Sequence, residues 1–375
     1  MRCVELFAGA GGASLGLRAA GFTSVLQAEK DPDACATLRA AGFTDVLEGD
    51  VRDLSFQGVG PVDLLWSSPP CQSFSNLGLK AGFSDDRNGW PLTWDAVDRM
   101  RAAGGGPTWL VCENVLGVAL HDTNCEPPSE ACRGCYWDRV VAEFETRFAH
   151  VSWRVVNAAD HGVPQRRERV FLAAGPTAFA WPTPTHSKAA LAHAKWAGGS
   201  YWRRHDIPPE PSGPTPEEAV LVGVTAAVPR ELPWVTVRDA TGLTQAGRGE
   251  TATAVARTVD DVSPTVTTRG TLYTNPCPGE VCSSATRVRK MRAEASAIRL
   301  EEADDILSQL EALSAERLGP PEDRRRLTVE ELAALQAFPP GHPFSGTGVA
   351  RYRQVGNAVP PLVAAALGRA VAEVL

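Results

Sequence analysis

Short apolar runs, each ending in glycine, proline or acidic residues, recur along the first half of the chain. Cys3-Val4-Glu5-Leu6-Phe7 is followed by Ala8-Gly9-Ala10-Gly11-Gly12 and then by a helical pattern, Ala13 to Ala20, that stops at Gly21. Ser24 to Ala28 is the next run, closed by Glu29, and a third repeat ends at Gly49-Asp50-Val51. Further runs cover Val62–Trp66, Thr108–Cys112, Val151–Val156 and Val170–Ala174, and a helix is expected over Trp137–Phe148. Runs this short and continuously apolar suit strands covered on both faces, so the alternation predicts an α/β domain with a Rossmann-like, mostly parallel sheet. The polar, glycine-bearing stretch Gln72–Trp94 is expected to be a mobile loop over a site.

From Thr177 the pattern is lost. Proline, tryptophan, histidine and glycine continue without steady periodicity to about Thr274, as in a separate and irregular domain. Met291, Ala295, Ile298, Ile306, Leu310 and Leu313 then fall at helical spacings within the charged stretch Arg287–Leu318. Thr328 and Glu331 have capping-box spacing at the head of a helix through Ala337, and Pro339-Pro340 ends it. An alanine-rich helix after Pro360-Pro361 reaches the C-terminus and is expected to dock beside the first strand. The expected division is 1–178 with 347–375 as one domain and 179–346 as the other.

The 375 residues, 43% hydrophobic and 22% charged, are ordinary for a globular protein, and no run approaches the roughly 20 apolar residues of a membrane span. The N-terminus carries no signal-like pattern, and nine cysteines, an odd number, favour a reduced cytoplasmic setting over a disulfide framework. A net charge of −7 gives no global sign of nucleic-acid binding, although Arg166, Arg167 and Arg169 make a local basic cluster.

Candidate chemistry lies where the strands end. Trp66-Ser67-Ser68-Pro69-Pro70-Cys71 puts a thiol on a proline-stiffened turn; by itself Cys71 is equally a small buried hydrophobe. Glu113 leaves Thr108–Cys112 on the same edge, where an apolar setting raises a carboxyl pKa. The glycine turn, with Glu29 and Asp50 at successive strand ends, suits an adenosyl ligand, Glu29 towards the ribose hydroxyls and Asp50 towards the adenine amino group. It lacks the full dinucleotide fingerprint. Arg167 and Arg169, two apart on an extended segment, share a face. His121, Cys125, Cys132 and Cys135 match a structural zinc site in ligand type and number, with incidental thiols as the alternative; Cys277 and Cys282 could replace His121 or form a separate pair.

Assembled in order, these residues resemble the cytosine-C5 DNA methyltransferases over nearly the whole chain. Phe7-x-Gly9-x-Gly11 resembles the family's S-adenosylmethionine turn, Pro70-Cys71-Gln72 its nucleophile motif, and Glu113-Asn114-Val115 the motif that contacts the target base. Gln165-x-Arg167-x-Arg169, Arg326-Leu327-Thr328 through Pro339, and Gln354-Val355-Gly356-Asn357-Ala358-Val359 resemble the later motifs. The resemblance implies a class I methyltransferase fold with a target-recognition domain, and catalysis by Cys71, Glu113, Arg167 and Arg169. It implies cofactor contacts from Phe7, Ala8, Gly9, Gly11, Gly12, Glu29, Lys30, Asp50, Val51, Pro70, Asn357 and Val359. It also implies a flipped cytosine in double-stranded DNA, with RNA as the rival substrate, and a separate cognate restriction endonuclease as a partner of a monomeric enzyme. Two departures stand out: Arg87-Asn88-Gly89-Trp90-Pro91-Leu92 replaces the family's usual arginine-glycine-leucine-phenylalanine run, and Lys30 stands where an aromatic often packs on the adenine.

Overall fold

The structure, a computed structural model, describes residues 1–70, 88–119, 133–206, 229–241, 265–266, 272–273 and 327–375. Cys71, His121, Cys125, Cys132, Cys277 and Cys282 lie outside the described residues, as does the amphipathic stretch Arg287–Leu318.

Seven strands form one sheet: β1 (Arg2–Leu6), β2 (Thr23–Glu29), β3 (Val46–Glu48), β4 (Pro61–Ser67), β5 (Gly106–Val115), β6 (His150–Asn157) and β7 (Glu168–Gly175), in spatial order β3-β2-β1-β4-β5-β7-β6. The first five are mutually parallel; β7 runs antiparallel to both β5 and β6. The order reverses between β1 and β4, and in open α/β sheets the crevice at the carboxyl ends of such a pair is where ligands bind.

Both faces of the central strands are covered, which is why those strands read as unbroken apolar runs, whereas the edge strands β3 and β6 are partly exposed. On one face Val4, Leu6, Leu65, Leu110 and Leu172 meet Trp90, Val97 and Met100 of α3 (Trp90–Ala102) and Tyr136, Trp137, Val140 and Phe144 of α4 (Arg133–Glu145). On the other, Cys3, Leu64, Trp66, Trp109, Val111 and Phe171 meet α1 (Gly12–Ala19) and the last helix. Helix α2 (Pro32–Ala40) is started by Asp31, whose side chain accepts from the Asp33 amide, with Pro32 at its first position.

Two expected boundaries move. The loop expected through Trp94 ends at Gly89, because Pro91 fits the first turn of a helix and Trp90, Thr93, Ala96, Val97 and Met100 give α3 a buried stripe. Trp90 is therefore a fully buried core residue instead of part of a mobile loop. Helix α4 begins before Trp137 and stops before Phe148, since Tyr136, Trp137, Val140 and Phe144 already make its buried face.

Beyond β7, the described parts of the irregular region hold only short elements, among them α5 (Lys188–Ala192), α6 (Ser200–His205) and α7 (Val237–Thr241). Helix α8 (Val329–Leu335) opens with the expected capping box: Thr328 accepts from the Glu331 amide, and the Glu331 carboxylate from the Thr328 amide. Val329, Leu332 and Leu335 pack with Val355 and Ala358, so α8 shares a core with α9 (Gly348–Asn357). Helix α10 (Pro361–Ala372) then lies along α1. Residues Gly348–Ala372 are apolar enough to cross a bilayer, yet Ala358-Val359-Pro360 interrupts them and most of the segment is buried against the sheet domain, as a core helix is.

The α1 face of β1 carries one buried charge-bearing group. Glu5 is fully buried; it accepts from Ser14 Oγ at 2.8 Å and from Gln27 Nε2 at 3.4 Å. Burial pushes its carboxyl from 4.5 up to about 7. A raised carboxyl pKa stabilises the fold fully below the unfolded value, and that contribution is lost as pH rises through the folded one. Between pH 4.5 and about 7 the chain should therefore lose on the order of 3 kcal/mol. Glu5→Gln should flatten the fall of the unfolding midpoint between pH 5 and 8; an equal slope in both proteins would refute this assignment.

Candidate active site

The site is built at the reversal between β1 and β4. Phe7 (φ 58°), Gly9 (φ 55°) and Gly11 (φ 83°) are all left-handed, which turns the chain sharply off β1 into α1. Glycine takes this conformation freely; Phe7 does so at a cost of about 1–2 kcal/mol. A Cβ on Gly9 would meet no atom within 4 Å, so this backbone is open to a ligand. A Cβ on Gly12 would run into the Val359 carbonyl, and one on Gly16 into the Pro361 carbonyl and Ala364. The turn is thus open above and tightly packed below, where the segment between α9 and α10 closes it. His342 adds a further tie, its Nε2 lying 3.0 Å from the Ala10 carbonyl.

Glu29 and Asp50 stand at the ends of β2 and β3, as their spacing predicts, and both already hold protein groups. Glu29 Oε2 accepts from the Gly9 amide at 2.8 Å, and Oε1 from the Lys30 and Asp31 amides at 2.8 Å each. A carboxylate offers about four acceptor positions, so taking two ribose hydroxyls means exchanging a backbone amide for one of them. Asp50 caps the short helical turn Val51–Asp53 and receives both Nε (2.9 Å) and Nη2 (2.8 Å) of Arg52, which hold its carboxyl down at about 2. It is an ionised acceptor, as an amino-group donor requires. Val51 and Val359 are buried, Asn357 is exposed, and Lys30 is exposed beside Glu29.

The other half of the site lies across the crevice. Ser67 pairs with Cys112, which sets Glu113 and Asn114 beside the Ser68-Pro69-Pro70 turn. Asn114 Nδ2 donates to the Pro69 carbonyl at 3.1 Å and ties that turn to β5. Because β7 is antiparallel, its first residues, not its last, arrive at this edge. Arg169 pairs with Val115 in the ladder, and its Nε lies 3.2 Å from Glu113 Oε1. Glu113 is only 8% exposed. Burial raises its carboxyl pKa, and the nearby Arg169 and then Arg167 offset part of that rise. Arg167 is buried and donates to the Gly356 carbonyl at 3.1 Å.

Cys135 lies in the first turn of α4, and His121, Cys125 and Cys132 are outside the described residues; among the described residues no three metal-binding side chains cluster. Sequence reasoning quoted Asn114 only within a motif and gave it no role. Its tie to Pro69 joins residues 45 apart, and no local pattern signals such a contact.

A family model described as C-5 cytosine-specific DNA methylase matches residues 1–204 and 233–373. The chain belongs to that family. Among curated relatives it is 31% identical to the Type II methyltransferase M.Eco47II of Escherichia coli, over 99% of this chain and 79% of the relative. It is 29% identical to M.AplI of Arthrospira platensis, also a Type II methyltransferase, over 98% of this chain and 84% of that one. Among solved structures, S. pombe Dnmt2 methyltransferase aligns over 100% of this chain and 98% of its own with a TM-score of 0.56 at 16% identity, a likeness of fold. The seven-stranded sheet is the class I methyltransferase fold, and the reaction is methylation of cytosine C5 in DNA with S-adenosylmethionine as donor.

Two glycine substitutions should part folding from cofactor binding. Gly12→Ala, forced onto the Val359 carbonyl, should cost about 2–3 kcal/mol of stability. Gly9→Ala should cost about 1–2 kcal/mol for its left-handed backbone and weaken S-adenosylmethionine binding more than Gly12→Ala does. Thermal denaturation and titration calorimetry check both; equal loss of affinity in the two folded variants would refute the open-above, packed-below description.

Proposed function

We propose that this family member modifies a flipped cytosine through a covalent bond between the Cys71 sulfur and cytosine C6, with Glu113 and Arg169 holding the base. The observation that carries the reading is the Asn114–Pro69 bond beside the Glu113–Arg169 pair. It supports a thiol one residue beyond Pro70 working next to a carboxyl of raised pKa.

Cytosine C5 is a weak nucleophile, and a thiolate adding to C6 gives it enamine character. Glu113, whose carboxyl pKa burial raises, donates to N3 as that charge develops, and Arg169 fixes the carboxyl and reaches O2. C5 would take the methyl carbon of S-adenosylmethionine, whose S–CH3 bond breaks to release S-adenosylhomocysteine; Phe7, Ala8, Gly9, Gly11, Gly12, Glu29, Lys30, Asp50, Val51, Pro70, Asn357 and Val359 would hold the donor beside the glycine turn. A base then takes the C5 proton, and the thiolate leaves with the C5–C6 double bond restored. Arg167 serves this chemistry through its tie to Gly356 and its field on Glu113. Drawing the base out of the duplex costs a few kcal/mol, which DNA contacts must return.

Target recognition belongs within 179–346, whose last part, α8 and the His342 segment, packs on the sheet domain of 1–178 and 347–375. Ser263-Pro264-Thr265-Val266-Thr267-Thr268-Arg269-Gly270, with its hydroxyls, arginine and glycine, is suited to close groove contacts. The Type II names of the relatives support a restriction-modification role with a separate endonuclease; a monomeric enzyme in a cytoplasmic setting completes the proposal. A zinc ion on His121, Cys125, Cys132 and Cys135 rests on ligand type and number alone, and metal analysis of the purified protein decides it.

A DNA duplex carrying 5-fluorocytosine in the methylated sequence should trap a stable adduct that maps to Cys71. Cys71→Ser should form none, and Glu113→Gln should slow methyl transfer by about 10²–10⁴-fold. An adduct on another residue, or methylation by the Cys71→Ser protein, would overturn the reading; methylation of RNA in preference to duplex DNA would move the substrate.

A further inference from the structure

The segment bearing the proposed nucleophile leaves the described structure at Pro70 and returns at Asn88. Its two ends meet. A Cβ on Gly89 would lie 2.7 Å from both Pro69 Cβ and Pro70 Cδ, so the returning backbone presses directly on the proline turn. Ser67 Oγ and Thr93 Oγ1 are 2.8 Å apart and buried, and Thr93 Oγ1 also donates to the Gly89 carbonyl at 3.2 Å. The end of β4 and the start of α3 are thereby fastened to each other.

What fixes this joint to the rest of the domain is Asn88. It is 5% exposed, and its Oδ1 accepts from the Trp90 amide at 3.3 Å and from the Tyr136 hydroxyl at 2.8 Å. Tyr136 lies in the first turn of α4 and is itself buried. Next to it, Trp137 stacks edge-on to Trp90 with centroids 5.4 Å apart, so the two helices are locked where the hydrogen bond forms. Burial pushes the Tyr136 phenol up, so it stays protonated and remains the donor. The remaining face of the turn is held by Asn114.

We infer that Tyr136 and Asn88 are positioning residues for methyl transfer: their buried hydrogen bond, with the Gly89–Pro69/Pro70 contact, holds the proline turn that precedes Cys71 in place beside Asn114 and Glu113. The inference rests on the reading of Cys71 as nucleophile. Neither residue touches the base or the methyl donor. Each acts through the proline turn, and a small displacement of a reacting group is costly in rate even when binding is untouched.

The test uses the full chain, with kcat, KM for S-adenosylmethionine, the rate of adduct formation with a 5-fluorocytosine duplex, and Tm measured for each protein. Tyr136→Phe keeps the ring and removes the donor. It should lower kcat and the adduct rate about tenfold or more, with KM for S-adenosylmethionine within about twofold. Its Tm should fall by no more than about 5 °C. Asn88→Leu should behave alike, whereas Asn88→Asp keeps the acceptor oxygen and should recover most of the rate. If Tyr136→Phe forms adduct as fast as the unaltered protein, the positioning role is wrong while the Cys71 reading stands. A rate loss that disappears on cooling the assay would likewise reduce the bond to a stability contact and overturn the inference. No adduct in the unaltered protein would overturn the Cys71 reading, and this one with it.

Discussion

The close approach of the α9–α10 junction to α1 is the constraint on which the site depends. Gly12 and Gly16 carry no side chain where the Val359 and Pro361 carbonyls lie against α1, and Gly368 faces Ala20 and Leu17 from the opposite helix. Only glycine lets two backbones come this close, and the apolar burial of Leu17, Val363, Ala364 and Leu367 holds them there. Hydrogen bonds from across the domain hold α9 and α8 beside this junction: Arg167 to Gly356, Gln336 to Val355 and Thr37 to Gln354 on α9, and Gln165 to Leu335 on α8. The open turn at Gly9 exists because the closed contact beneath it fixes the start of α1.

The second constraint is directional. Parallel strands bring only their carboxyl ends to the ligand edge, so a charged residue there must lie in or just after the last residues of a strand, as Glu29, Asp50 and Glu113 do. Reversing β7 delivers the residues that precede a strand to that edge, and Arg169 meets Glu113 from its neighbour in the ladder. Basic and acidic groups thus face each other across one strand pair without a long loop to carry either. The pair is buried, and desolvation outweighs the arginine, so the Glu113 carboxyl pKa stays raised.

The sheet was legible because each strand is short, apolar and closed by a residue that cannot continue it. The glycine turn, Glu29, Asp50 and Glu113 were legible for the same reason, since each is read from its position after a strand. Helix α3 was not, because Trp90 and Trp94 sit beside a glycine-bearing polar stretch, and only the packing of Trp90 on Trp137 and Phe144 reveals a buried face. The partners of Arg167 were hidden too. Alternation along a strand assigns a side chain to a face, but a contact 189 positions away depends on how the last helices return. Glu29 carries the same lesson: its place was readable, its prior engagement by three backbone amides was not.

The return of α10 onto α1 also bears on how the protein comes into being. While the chain is being translated, Leu17 of α1 and Trp66 and Val111 of the sheet wait uncovered for a helix made hundreds of residues later. The glycine turn is thus among the last parts of the sheet domain to acquire its final packing.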